Sequence, residues 1–496
     1  MADETEAREQ RFERRMSDAE ALMWNIDKDP WLNPSGCSLL ILDGAIDVDH
    51  FRGHVARGVA EVPRLRERVV ATLGRLSPPQ WRPDPEFDLD YHIRHMVLAP
   101  PGTMRDLLDL VSILYQDPYD RTRPLWAFYV IDGLQGGRSA LLWKLHHAVA
   151  DGLGAGGIAD YHLQRSPRTP PAAEVDLDGL AEQALETDRG EAGQWSELPR
   201  AALRTVGHTW RRQAGIARRL VGGVARVVAD PRGAVDAATE VVRTVQQVRT
   251  QLLGDPTPGG SPLWARRSRR RHLEVLGVSL EDAKAAAKNL GGTVNDLFVT
   301  GAVNAAVAYH GRRNAPVQAL NISFVVSTRE DRTIGGNAMT PTRLQVPAGT
   351  MDPAERFEEI SRRLAARRAE VRGSGMLSWL AGVANLLPTS LVTSVARSQA
   401  SKIDFATSNL RGARSAQYVS GAEVLHKYAF GPVAGTAFNL TAFSYKGRFD
   451  MALNVDPAAV ADPAALRQHL EDGYAELLHP AAPSRDRRRP RSIREP

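Results

Sequence analysis

Residues 138–152 read Arg138-Ser139-Ala140-Leu141-Leu142-Trp143-Lys144-Leu145-His146-His147-Ala148-Val149-Ala150-Asp151-Gly152. The apolar run from Ala140 to Leu145 has the composition of a strand. Trp126-Ala127-Phe128-Tyr129-Val130-Ile131 precedes it, and Asp132-Gly133 and Gly136-Gly137 supply a turn, so the two runs predict a hairpin. Two histidines stand where the returning strand ends, in the spacing His-His-x-x-x-Asp-Gly. A histidine held at a rigid strand end, with a pKa near neutrality, suits the deprotonation of a hydroxyl. Adjacent strand residues point to opposite faces, so His146 and His147 cannot both reach one substrate. One is expected to face a reaction cleft and the other the interior. Asp151 then fixes local geometry by an ion pair or backbone hydrogen bonds. Gly152 permits a backbone conformation closed to other residues.

The chain around this hairpin has 496 residues, 43% apolar and 24% charged, which excludes both a wholly disordered chain and a multispanning membrane protein. Lys and Arg number 63 against 58 Asp and Glu, and a net charge of +5 at this length gives no whole-chain reason to expect nucleic acid. Cys37 is the only cysteine, so no intramolecular disulfide forms, and a reducing, cytoplasmic setting is the natural reading. The charge-dense N-terminus has no apolar run and is not a secretory signal. Residues 373–396 carry no charge and are long enough to span a bilayer, but seven Ser, Thr or Asn residues and Pro388 interrupt them. Two shorter helices are expected there.

Outward from the hairpin the chain divides into a disordered arm (1–15), a first unit (16–165), a connector (166–265), a second unit (266–480) and a disordered basic tail (481–496). In the first unit Ser17 is a candidate N-cap, Ser38–Leu42 is strand-like, and a helical pattern through Phe51, Val55, Val59 and Val62 ends at Pro63. The second unit alternates helical and strand patterns: helices over Glu281–Leu290, Thr293–Tyr309, Ala354–Val371 and Pro463–Leu478, and a strand over Ala319–Val326. Asn439–Tyr445 and Phe449–Val455 predict a second hairpin turning at Lys446-Gly447. The connector is acidic from Glu174 to Asp188 and basic from Arg200 to Arg226, where apolar residues at three- and four-residue steps predict an amphipathic helix. That helix either lies on an anionic lipid surface or packs on the globular body with a solvated Arg face. Arg266, Arg267, Arg269, Arg270 and Arg271 form another basic cluster, open to polyanions, anionic lipid or plain solvent. His92 and His95 sit at i, i+3 with no recurring carboxylate or histidine partners, so hydrogen-bonded histidines are expected rather than a metal pair.

The His-His-x-x-x-Asp-Gly motif resembles that of the acyltransferases related to chloramphenicol acetyltransferase, carnitine acyltransferases and peptide-synthetase condensation domains. Further segments narrow the resemblance to the bacterial wax ester synthase/diacylglycerol acyltransferase family. These are Phe87-Asp88-Leu89-Asp90-Tyr91-His92-Ile93-Arg94, Pro124-Leu125-Trp126, Thr293-Val294-Asn295-Asp296-Leu297-Phe298, and Ser327-Thr328-Arg329 followed by Gly336-Asn337. Their order and spacing agree from about Ser17 to Leu478. Thr407-Ser408-Asn409-Leu410-Arg411-Gly412-Ala413 matches the family's loop after a second-lobe strand, but lacks its proline.

The resemblance implies a mixed α/β fold of two similar chloramphenicol-acetyltransferase-like lobes, each a mixed sheet flanked by helices, with a tunnel between them. It implies acyl transfer from acyl-CoA to diacylglycerol or a fatty alcohol, with His147 as general base and His146 orienting. Asp151 is structural, by analogy paired with Arg329. Asn295 is a candidate oxyanion donor or tunnel-wall residue, and Thr293 with Asp296 also fits a capping box. Pro124, Leu125, Trp126, Gly152, Asp296, Arg329, Ser408 and Asn409 are candidate substrate-binding residues, although Pro124-Leu125-Trp126 fits core packing at least as well. No cofactor and no metal are implied, since acyl-CoA is a substrate. A peripheral place at a membrane or lipid droplet is expected. The alternatives are a condensation-type acyltransferase with another acceptor, and a catalytically silent lipid-binding or membrane-adaptor relative.

Overall fold

The computed structural model describes residues 14–71, 78–149, 158–159, 161–193, 260–327, 339–372 and 389–479. Asp151, Gly152, Arg329, the 200–226 segment and both termini lie outside the described residues.

The strands are β1 (Gly36–Leu42), β2 (Glu67–Val70), β3 (Gln80–Pro83), β4 (Ile93–Val97), β5 (Trp126–Leu134), β6 (Arg138–Leu145), β7 (His272–Ser279), β8 (Ala319–Ser327), β9 (Met339–Pro347), β10 (Phe405–Arg411), β11 (Tyr418–Val419), β12 (Ala422–Phe430), β13 (Phe438–Tyr445) and β14 (Arg448–Val455). The helices that matter below are α1 (Asp18–Ile26), α2 (Val48–Glu61), α3 (Leu89–His92), α4 (Met104–Gln116), α5 (Leu177–Gly193), α6 (Leu280–Asn289), α7 (Val294–Gly311), α8 (Pro353–Arg372), α9 (Thr389–Ala400) and α10 (Pro463–Leu478). Local chemistry sets several boundaries. Ser17 and Glu20 form a complete capping box on α1, as do Thr103 and Asp106 on α4. Lys446 and Gly447 both take positive φ, which closes the β13–β14 hairpin at the predicted dipeptide.

Two six-stranded mixed sheets carry the fold, in the orders β11-β12-β1-β6-β5-β4 and β7-β14-β13-β10-β8-β9. The Leu39–Leu42 run is aliphatic without alternation because both faces of the first sheet are covered. Leu39 and Ile41 pack with Leu107, Leu108 and Val111 of α4, whereas Leu40 and Leu42 pack with Phe51, Val55 and Val59 of α2.

The two units are not the contiguous blocks that the sequence suggests. Strand β12, from the second unit, pairs antiparallel with β1, from Cys37 opposite Phe430 to Leu42 opposite Val424. Leu273 and Ala452 of the second sheet join Leu107, Tyr428 and Phe430 in a single apolar cluster, so the lobes share a core. Ion pairs add to the seam: Arg105 meets Glu274 at 3.0 Å, and Arg397 of α9 grips Asp29 with both Nε and Nη2. The start of the connector is likewise tied down. Gln164 and Tyr418 exchange backbone hydrogen bonds, and Asp188 of α5 pairs with Arg82 and Arg14.

One further expectation changes, while the stretch at 373–396 is described only from Thr389 onward. Thr407–Arg411 is not a loop but most of β10, which runs parallel to β8 and β13. The residue after it is Gly412, where a Cβ would lie 2.2 Å from the Phe443 ring, so only glycine fits. The 373–396 stretch contributes α9 from Thr389 onward, and among the described residues no helix is long and apolar enough to cross a membrane.

The first lobe buries neutral histidines. His162 is enclosed by Phe51, Phe128 and Trp143, and burial pushes its imidazole down to about 3. The unfolded chain binds that proton near pH 6.5 while the folded chain does not, so stability falls as pH drops from about 6.5 toward 3. His162→Phe removes this one titration. Urea unfolding across pH 7 to 4 should therefore show a shallower loss of stability in the variant, by about 3 kcal/mol at pH 4. Parallel profiles for the two proteins would refute it.

Candidate active site

Strands β6, β1 and β12 meet at one end of the first sheet. Leu145 pairs with Gly36, and Cys37 pairs with Phe430 on the other side of β1. The chain leaves β6 at Leu145 and turns, so both histidines stand just beyond the strand rather than in it.

His146 has no exposure. Its backbone N–H donates to Leu125 O at 3.1 Å, and its Nδ1 accepts the Ala148 N–H at 3.0 Å. With Nδ1 accepting, the neutral ring carries its proton on Nε2. That nitrogen faces Asp27 Oδ2 at 3.7 Å, and Asp27 is held by Arg121 at 2.8 Å. Arg121 lies over the Trp24 ring, and the edges of Trp24 and Tyr119 close around the imidazole. His146 is thus an interior anchor for the turn.

His147 is half-buried and sits against the bare backbone of Gly36. A Cβ built at position 36 would lie 3.7 Å from both Cε1 and Nε2 of the ring, and 3.6 Å from Phe430 O. With no side chain at position 36, the ring edge bearing Cε1 and Nε2 lies against the β1 backbone. The two histidines differ in burial, as strand alternation would also give, but they lie in a turn beyond the strand.

Cys37, remote from the histidines in sequence, is the residue after Gly36 and pairs with Lys144 in the sheet. Its side chain is buried among Leu39, Tyr115 and Phe430, and burial pushes the thiol up to about 12. A thiol held neutral in this way is a poor nucleophile. On the paired strand β6, burial lowers Lys144 to about 8, and its Nζ donates to Asp117 O at 2.9 Å.

The second-lobe candidates gather at the N-terminus of α7. Asn409 Nδ2 on β10 donates to Asn295 Oδ1 at 3.4 Å, which turns the Asn295 amide so that its NH2 end remains a donor. Ser408 is half-buried beside Asn409 on the same strand. Asp296 has a different part. One carboxylate oxygen accepts from Thr293 N, Thr293 Oγ1 and Ser361 Oγ, and the other accepts from Arg368 at 3.2 Å. This is a completed capping box with a partly buried ion pair, so the expectation of substrate binding at Asp296 gives way to a structural role.

Pro124, Leu125 and Trp126 are corrected the same way, since all three are buried. The Trp126 indole donates to Leu65 O at 2.7 Å and stacks on His92 with 4.3 Å between ring centroids. His92 Nδ1 in turn bonds Trp126 O at 2.8 Å, while His95 Nε2 meets Asp132 at 2.6 Å. Among the described residues no set of three His, Cys, Asp or Glu side chains could hold a metal ion. Sequence reasoning missed Gly36, Asp27 and Arg121. A glycine opening an aliphatic strand is a signal of close approach that could have found the first; nothing local marks the other two.

The family model for the wax ester synthase/diacylglycerol acyltransferase catalytic domain matches residues 16–298, and that for the C-terminal domain matches residues 335–478. A Mycobacterium tuberculosis protein bearing a diacylglycerol O-acyltransferase name is 30% identical over 473 residues, covering 94% of this chain and 92% of its own. A second from the same organism is 29% identical over 482 residues, covering 94% and 97%. The wax ester synthase/diacylglycerol acyltransferase of Marinobacter aquaeolei VT8 superposes with a TM-score of 0.61 at 19% identity, over 93% of this chain and 98% of that one. The first condensation domain of the calcium-dependent antibiotic synthetase gives 0.57 at 16%, over 95% and 97%. The structural likenesses establish a shared two-lobed fold.

Asp296→Ala should weaken the second lobe by roughly 2–3 kcal/mol, through the lost cap and the unpaired Arg368. Asp296→Asn, which keeps part of the cap, should lose less. Urea midpoints followed by circular dichroism test this, and unchanged midpoints would contradict the structural assignment.

Proposed function

The chain belongs to the wax ester synthase/diacylglycerol acyltransferase family, and from that premise we propose that it transfers an acyl group from acyl-CoA to the hydroxyl of diacylglycerol or a fatty alcohol, with His147 as general base. The observation that carries this is the division of labour between the histidines. His146 is held in the interior by the Ala148 N–H, with Asp27 3.7 Å from its Nε2, whereas the half-buried His147 ring lies against position 36, which has no side chain.

In this reaction the acceptor hydroxyl gives its proton to His147 Nε2 as its oxygen attacks the thioester carbonyl. The tetrahedral intermediate collapses with cleavage of the carbon–sulfur bond, and the imidazolium returns the proton to the departing CoA thiolate. The ester and free CoA are the products. The negative charge that develops on the carbonyl oxygen needs a preorganised donor. The Asn295 amide, turned by Asn409 so that its N–H groups are available, is our candidate. A single displacement suffices, since the Cys37 thiol is buried and held protonated. Asp151 and Arg329, outside the described residues, are assigned to support of the motif. We place the protein in the cytoplasm, peripheral to a membrane or lipid droplet where both apolar substrates are found, with the basic 200–226 segment as its contact.

Purified protein with labelled palmitoyl-CoA and either dioleoylglycerol or hexadecanol should release CoA and yield neutral lipid on thin-layer separation. His147→Ala should reduce turnover by about 10²–10⁴-fold with an unchanged melting temperature. Comparable product from that variant would remove His147 from the chemistry. Deleting residues 200–226 should weaken flotation with phosphatidylglycerol vesicles, and undiminished flotation would retire the membrane contact.

A further inference from the structure

One basic feature is absorbed by neither the catalytic turn nor the family motifs. A cavity of about 490 Å³ is lined by Asn33, Tyr115, Gln116 and the consecutive Arg269, Arg270 and Arg271, and no carboxylate lines it. Arg269 and Arg270 are exposed and have no ion-pair partner among the described residues. Arg271 is half-buried, and its Nη1 donates to Ser268 O at 3.1 Å and Arg270 O at 2.8 Å, which stiffens the tripeptide. Asp456 is turned onto Ser268, accepting from its N–H and hydroxyl. Asn33 Oδ1 accepts the Ser35 N–H at 2.8 Å, which leaves the amide N–H groups as donors. Three guanidinium groups and an amide donor around a concave space, with no acid among the lining residues, make a site for a multiply charged phosphate compound.

The cavity lies at the catalytic end of the first sheet. Tyr115 Oη donates to Ser35 O at 2.9 Å, and Ser35 precedes Gly36, the residue against the His147 ring. Asn33 is three residues before Gly36, and the lining residue Val433 is three after Phe430, whose carbonyl flanks the same position. Three residues of chain reach at most about 11 Å. A flexible arm between a thioester and its phosphates spans such a gap.

We propose that the Arg269-Arg270-Arg271 cavity holds the phosphate groups of the acyl-CoA nucleotide, so that the donor enters past this cleft with its thioester directed to His147. This rests on the acyl-CoA reading above and adds to it the residues that recognise the non-reacting end of the donor.

The test compares palmitoyl-CoA with S-palmitoyl-pantetheine, which carries no phosphate, in the full-length protein and in R269A/R270A. The wild type should prefer palmitoyl-CoA in kcat/KM, and the variant should lose on the order of tenfold or more of that preference, mainly through KM. R269K/R270K should retain part of it, and R266A, outside the cavity, should retain it all. Equilibrium dialysis of free CoA reads the same site without turnover. CoA binding weakened by R269A/R270A in a protein that transfers no acyl group would keep the phosphate site and sink the catalytic reading. Active protein with an unchanged preference would sink the phosphate site and keep the catalytic reading. A variant that binds CoA normally but loses affinity for phosphatidylglycerol vesicles would overturn the proposal in favour of a lipid headgroup. A matched melting curve for R269A/R270A confirms that the fold is intact.

Discussion

The backbone pairing of β12 with β1 is the constraint on which the rest depends. An edge strand with unpaired N–H and C=O groups is exposed to wrong partners, and β1 would be one if the second lobe withheld β12. By donating it, the second lobe finishes the first sheet and brings Leu273, Ala452, Tyr428 and Phe430 into one apolar cluster with α4. The lobes cannot separate without breaking a continuous ladder and opening a core. The same pairing sets the surroundings of Gly36, whose missing side chain would lie between the His147 ring and the Phe430 carbonyl. The backbone around Gly36 therefore takes this form only when both lobes have folded together.

Two identical side chains, adjacent in sequence, take opposite parts because their surroundings differ. His146 accepts a backbone N–H and faces Asp27 within a shell of Trp24 and Tyr119. Those contacts fix the turn that delivers His147, whose ring is left beside a residue with no side chain. Cys37 lies one residue from that seat, yet its burial keeps the thiol protonated. Proximity alone does not make a nucleophile; environment decides it.

Electrostatics divides the second lobe's contribution in a similar way. Asp296, fully engaged by Thr293, Ser361 and Arg368, secures the start of α7. Asn295, the residue before it, is thereby held where Asn409 can orient its amide. At the edge of the shared core, Arg269 and Arg270 have no acidic partner among the described residues, while Asp456 is turned to Ser268. A protein that leaves arginines unpaired around a cavity keeps them available for an anion.

By itself the sequence determined the elements whose causes are local. The Ser17, Thr293 and Lys446-Gly447 signals act within a few residues, and α1, α7 and the β13–β14 hairpin formed where they predicted. The histidine pair was equally legible, since a short motif at a strand end is itself local. Tertiary structure alone decided that β12 completes the first sheet, that Thr407–Arg411 is a parallel strand, and that Pro124-Leu125-Trp126 and Asp296 belong to packing and capping. It also decided that Gly36 lies against the His147 ring and that the three arginines share a cavity with Asn33 and Tyr115. Backbone hydrogen bonds between strands at opposite ends of the chain leave little mark on side-chain composition, so a pattern confined to neighbours cannot reveal which distant strand will pair, or what that pairing brings together.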